Sequence, residues 1–159
     1  MIALLRIPIL IFFITTSFVA VGQTSNLVFD TSTTAIITYN QKMGWPFDST
    51  YKTTTLTQQE LQSIDSFLLV CIADFNNSLG KDYKWWSINL KQRDYKKQLV
   101  AVLNEKGQKE VFVNCFCHDF GDKWEINILE VDDGGNCYFH FKINLMLKMY
   151  FSLSVNGVA

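Results

Sequence analysis

The residues able to do chemistry gather at Cys115-Phe-Cys117-His118, with Cys71, Cys137 and His140 elsewhere in the chain. Thiols and imidazoles together point to several chemistries. A tetrahedral metal site would take Cys115, Cys117, His118 and a fourth ligand at ~2.0–2.3 Å. A strand sends both sulfurs of a C-x-C pair to one face and His118 to the other, so the spacing suits a metal poorly. A nucleophilic thiol, in a redox or hydrolytic enzyme, needs a histidine beside it and a third group to orient that histidine. Cys117-His118-Asp119 are contiguous, but contiguous side chains on an extended chain diverge. A disulfide requires Cα atoms within ~7 Å. Cys71, Cys115, Cys117 and Cys137 are all candidates, with buried free thiols as the alternative. Cys71, on a helix, could reach one sheet cysteine. Cys115 and Cys117 end one strand, while Cys137 begins the strand two places on, so bridging them would demand another strand order. No cofactor is implied: there is no phosphate-cradling glycine loop, no G-x-S-x-G and no H-E-x-x-H. Asp132-Asp133 before Gly-Gly reads as a turn without the spacing of a calcium loop.

Two surfaces are candidates for binding a protein or small ligand. Trp85-Trp86, flanked by Tyr83 and Lys84, is one, because aromatic residues concentrate at binding hot spots. Its rival reading is a loop tucked over the open end of the core. The other is the polar face of an alternating strand, carrying Tyr138, His140, Lys142 and Asn144.

The elements that must position these residues centre on Glu110–Cys117. Val111, Val113, Cys115 and Cys117 point one way, and Phe112, Asn114 and Phe116 the other. A strand with little to offer water on either face belongs in the middle of a covered sheet. Tyr95–Leu103 reads as the strand before it, joined through a turn at Asn104–Gly107. Trp124, Ile126 and Ile128 alternate as a further strand, and Asp132–Asn136 turns the chain again. Cys137, Phe139, Phe141, Ile143 and Leu145 share one side of the next strand, and Met149, Phe151, Leu153 and Val155 share one side of the last.

Ahead of these lies the strongest local signal. Thr57 and Glu60 fit a capping box, with Leu56 and Leu61 at the staple positions. Leu61, Ile64, Leu68, Cys71, Ile72, Phe75 and Leu79 recur at helical spacing, and Gly80 stands where a left-handed stop is expected. Phe67, Leu69 and Val70 widen the stripe and predict a helix lying deep on a sheet. The expected fold class is α+β: one long helix packed on an antiparallel meander of about five strands.

Residues 1–22 read as a signal peptide, with Arg6 before an apolar run and Ala20-Val21-Gly22 as the cleavage site. The run is shorter than the ~20 residues needed to span a bilayer, so no membrane span is expected after cleavage. Residues 23–56 form an N-terminal extension with a short strand in Thr34–Tyr39, and residues 57–159 the helix-plus-sheet domain. Fourteen basic residues against 15 acidic ones leave a net charge of −1, which disfavours a nucleic-acid partner. The expected protein is exported, soluble, and periplasmic or extracellular.

Thr57-Gln-Gln-Glu-Leu61, Tyr95–Val102, Val113-Asn-Cys-Phe-Cys117, Asp133-Gly-Gly-Asn-Cys-Tyr-Phe139, Lys142-Ile-Asn-Leu145 and Ser154-Val-Asn-Gly157 resemble motifs of a group of uncharacterised exported bacterial proteins. The likeness runs from about Thr34 to Ala159 and brings no established activity with it. The helix-then-sheet order is also similar to cystatin-like and PepSY-like architectures, which include protease inhibitors and propeptide-type regulators. Gln98-Leu-Val100-Ala-Val102 carries valine where the inhibitory cystatin hairpin has glycine, so inhibition does not follow. The function expected is a non-catalytic binding or envelope-associated domain; the alternative is a cysteine-dependent enzyme or metal protein using Cys115, Cys117 and His118.

Overall fold

The computed structural model describes residues 30–119, 121 and 123–157; the signal peptide read at residues 1–22 lies outside them. The helix α1 spans Gln58–Ser78 and begins as its capping box predicts. The Thr57 hydroxyl accepts from the Glu60 amide at 3.3 Å, and the Glu60 carboxylate accepts from the Thr57 amide at 2.8 Å. The same carboxylate takes the Lys109 ammonium at 2.7 Å, which ties the helix start to the sheet. Its far end differs from expectation. Leu79 and Gly80 leave in an extended path instead of a left-handed glycine cap. The chain turns back at once through a 3-10 turn at Lys81–Trp86, and the Lys84 ammonium satisfies the Asn76 carbonyl at 2.7 Å. A side-chain cation near the last carbonyls does the work expected of glycine.

Among the described residues, six strands form one sheet: β1 (Thr34–Ile36), β2 (Lys52–Thr53), β3 (Lys96–Leu103), β4 (Lys109–Phe116), β5 (Tyr138–Asn144) and β6 (Met149–Val155). The order is β1-β3-β4-β5-β6, with β2 also on β3. From β3 to β6 each strand pairs antiparallel with the next, but β1 pairs parallel with β3, so the sheet is mixed. The helix lies between β1 and β3 in the chain, a crossover long enough to let both strands run the same way. The fold is α+β.

The strand β4 stands in the middle and is buried from Glu110 to Phe116. Val111, Val113 and Cys115 meet Ile64, Leu68, Cys71 and Ile72 of α1 on the front face. The helix lies less deep than its sequence suggests, because Leu69 and Val70 remain 63% and 51% exposed. Behind the sheet, Phe112, Val100 and Val102 pack under Ile37, Tyr39 and Phe47 of the N-terminal extension. Phe116 packs with Trp124, Cys137 and Tyr138.

The strand expected over Trp124–Ile128 is absent; those residues form turns laid across the back of the sheet. The cause is a pair of buried amides facing each other across β3 and β4, Gln98 and Asn114. Gln98 Nε2 donates to the Trp124 and Asn127 carbonyls at 2.5 and 2.6 Å. Its Oε1 accepts from the Leu129 amide and from Asn114 Nδ2, both at 2.9 Å, and Asn114 Nδ2 also donates to the Leu129 carbonyl at 2.8 Å. Side chains thus supply the bonds a neighbouring strand would have made.

The last strand is also reshaped. Its register shifts opposite Phe141, and Ser152 takes φ +53°. One extra residue in β6 turns Leu153 and Val155 toward the helix side while Phe151 stays opposite Lys142 on the back. The four alternating apolar residues therefore do not share a face.

Replacing Gln98 by leucine strands several buried backbone groups, each costing ~1–3 kcal/mol. A loss of roughly 3 kcal/mol or more is expected in urea unfolding, with faster proteolysis in residues 123–131. An unchanged midpoint would mean that the amides do not hold the turns down.

Candidate functional site

With residues 124–128 out of the sheet, β4 and β5 become neighbours, with Phe116 opposite Tyr138. Cys117 and Cys137 then sit just past one end of the same strand pair, with Cα atoms 5.1 Å apart, and form a disulfide. This corrects the expectation that the two lie at opposite ends. Cys71 and Cys115 are free and buried on the front face. Burial pushes the Cys71 thiol up to about 12 and raises the Cys115 thiol as well. Such thiols are poor nucleophiles at neutral pH. The sequence neighbours Cys115, Cys117 and His118 are thus divided: one thiol in the core, one in a disulfide, and an exposed imidazole. Among the described residues, no group of three or more His, Cys, Asp or Glu side chains is placed to hold a metal ion.

The two candidate binding surfaces lie on opposite sides of the sheet. Trp85 and Trp86 stack at 6.2 Å on the 3-10 turn, and Trp86 meets Phe75 of α1 edge-on at 6.3 Å. Trp86 is half-buried, and its indole N–H is buried without a hydrogen-bond partner; Trp85 is 62% exposed. Tyr138, His140, Lys142 and Asn144 do share the back face, but little of it is open. Tyr138 and Asn144 are buried, and the Lys142 ammonium lies 4.6 Å over the Phe47 ring. Burial pulls the Lys142 ammonium below its ordinary range, partly offset by Glu110 and Asp48.

What stays accessible is a cleft of about 280 Å³ beside His140. Trp45, at the rim of the N-terminal extension, forms one wall, and Glu130–Asp132 of the loop between β4 and β5 forms the other. Asn114, Leu129, Tyr138, His140 and Asn156 complete it. The Trp45 and His140 rings stand at 89° to each other, centroids 5.9 Å apart, and Phe112 lies against both. Both Nδ2 hydrogens of Asn114 are engaged, so what it can offer a ligand is its Oδ1 acceptor. Asn156 Nδ2 donates to the Val131 carbonyl, and to that of Asp133 at 3.1 Å, fixing the loop wall. Trp45, Asn114, Glu130, Asp132 and Asn156 escape a reading of the sequence because they come from four separate segments. The signal within reach was Asn114, an amide on an otherwise apolar strand.

No family model, curated protein or solved structure matches the chain. The site must therefore be read from its own chemistry. Among the described residues three other grooves are larger, one of them, about 570 Å³, running past Tyr39, Gln41, Lys42 and Thr53. Another, of about 580 Å³, is lined by Asn104, Gln108, Glu110 and Asn144, whose side chains bond to one another. A third, also about 570 Å³, runs along α1 past Phe67, Val70, Leu145 and Met146. None of the three brings aromatic rings together with an imidazole, as the His140 cleft does.

Burial, and then the Lys142 charge, hold the His140 imidazole below its usual value of 6.5. The fold favours the neutral ring, so its contribution to stability is complete above pH ~6.5 and declines as pH falls toward the lower, folded value. Proton NMR should show His140 titrating with a midpoint below 6.5; a midpoint above it would contradict the half-buried placement. Iodoacetamide should label no cysteine of the native protein and two after unfolding without reductant. Four native adducts, or a rapidly labelled Cys115, would overturn the assignment of the thiols.

Proposed function

We propose that this chain is an exported, non-catalytic binding domain that takes its ligand in the cleft between Trp45 and Glu130–Asp132. The observation that carries the reading is the placement of His140. It is the half-buried imidazole of a concave, partly aromatic site, while the thiols that could have run chemistry are committed to the core or to a disulfide. Concave sites with aromatic walls and a few convergent polar groups are where ligands bind. Export is supported by the Cys117–Cys137 disulfide, since such bonds persist in oxidising compartments. The motif likeness to exported bacterial proteins points the same way. Among the described residues, no helix is long and apolar enough to cross a membrane.

The likeness to cystatin-like and PepSY-like folds belongs to the same reading, supported by a helix that precedes a run of antiparallel strands. It brings no inhibitory surface. Gln98, Val100 and Val102, the positions compared with the inhibitory hairpin, are fully buried in β3 and could not reach a protease.

A two-dimensional NMR titration with fragments of distinct chemistry (amines, carboxylic acids, sugars, amides) tests the proposal. Shifted amides should cluster at residues 45, 114, 130–132, 138–140 and 156, and His140→Ala should abolish the response with an unchanged fold. Responses confined to Trp85, or surviving His140→Ala, would place binding elsewhere.

A further inference from the structure

Resting on that reading, we propose that the ligand of the His140 cleft presents a substituted-ammonium cation, held in the corner between the Trp45 and His140 rings and facing Glu130 and Asp132. The shape argues for it first. Rings at 89° with centroids 5.9 Å apart make a corner instead of a platform. A compact spherical cation can touch both walls of a corner, and the face of an indole attracts it electrostatically. A sugar ring or base needs one broad open face, whereas Trp45 is only 37% exposed and has Phe112 against it at 4.9 Å.

The charges of the lining agree. Glu130 and Asp132 are carboxylates, and among the described residues no lysine or arginine lines the cleft. Lys142, whose charge His140 feels, is two residues along β5 and is drawn over the Phe47 ring, toward Asp48 and Glu110. The neutral side chains, Asn114 through Oδ1 and Asn156 through its own amide oxygen, can accept from an N–H of the ligand. A cleft of about 280 Å³ fits a small head group and little more. The source of the cation is either a free small molecule or a side chain of a partner polypeptide.

The charged and polar groups facing His140 bear on the pH dependence. Lys142 and Tyr138 flank it on β5, Asp48 follows Trp45 in the extension, Glu130 and Asp132 stand opposite, and Ser154 pairs with it from β6. Protonating the imidazole puts a positive charge into the wall the ligand must touch. Cation binding should therefore weaken as pH falls through the His140 titration, by roughly threefold or more.

Tetramethylammonium chloride and the N-acetyl methylamide of trimethyllysine, each titrated against sodium chloride of equal ionic strength, test the proposal. Tryptophan fluorescence and NMR shifts at residues 45, 130–132 and 140 report binding. Saturable binding of both is expected, roughly tenfold weaker in the Glu130→Gln/Asp132→Asn double variant, whose exposed side chains can change without disturbing the core. Equal affinity for the two probes indicates a free cation, and preference for the lysine derivative a polypeptide partner; either supports the proposal. Should neither probe bind while an uncharged fragment shifts the same amides, the cation assignment falls and the binding cleft stands. If no fragment shifts these amides, the cleft itself is wrong.

Discussion

The rest of the structure follows from a strand that has no face to give to water. From Glu110 to Phe116 β4 is buried throughout, so the sheet must be covered twice. On the front this is done by α1, which needs little help because a helix satisfies its own backbone. On the back, the cover is irregular chain, the extension from Ile37 to Phe47 and the turns from Trp124 to Leu129. Irregular chain laid on an apolar face brings unpaired carbonyls and amides with it. Gln98 and Asn114 are the response: two amides side by side in the middle of the sheet, each bonded to the cover and to each other.

A cover made of two pieces has a seam, and the candidate site lies in it. Trp45 belongs to one piece and Glu130–Asp132 to the other, with His140 of β5 and Asn114 of β4 beneath. Where the pieces meet over Phe112 the face is closed; where they part, an imidazole is left half-exposed. The site is thus a consequence of how the back is covered. The same division explains why the front-face thiols took no part: helix packing on that side leaves Cys115 fully buried.

The helix start and the central strand were legible because each is written locally. Thr57 and Glu60 are three residues apart, and the alternation of Val111 to Phe116 needs no partner to be seen. What could not be read was long-range. Trp124, Ile126 and Ile128 alternate like a strand, but Gln98, 26 residues away, claims the Trp124 carbonyl. That misreading separated β4 from β5 and so hid the Cys117–Cys137 disulfide. The bulge at Ser152 is a conflict of the same kind. Alternation along β6 suggests one face, yet Phe151 lies opposite Lys142 while Val155 lies opposite Phe139, which no pattern within the strand announces. The polar face of β5 was identified correctly as a face, but the chain that covers it comes from residues 37–47 and 124–131.

The covalent bond and the cleft are linked by the loop between them. Residues 118–136 carry the acidic wall, and the disulfide joins their two ends, which removes much of the freedom the loop would have in an unfolded chain. Further on, Asn156 at the end of β6 holds Val131 and Asp133 by their carbonyls, and the Gly135 amide donates to the Gly157 carbonyl at 2.8 Å. Gly134 permits the turn between these anchors, at φ +95°, where a Cβ would collide with the Tyr138 ring. Two exposed carboxylates in one short stretch repel each other, and a loose loop would relax by letting them drift apart into solvent. Anchored at the disulfide and at Asn156, the loop keeps Glu130 and Asp132 at the rim opposite Trp45. The wall is thereby set by one covalent bond and by the hydrogen bonds of Asn156, so the placing of the two carboxylates depends on the disulfide as well as on the fold of the strands.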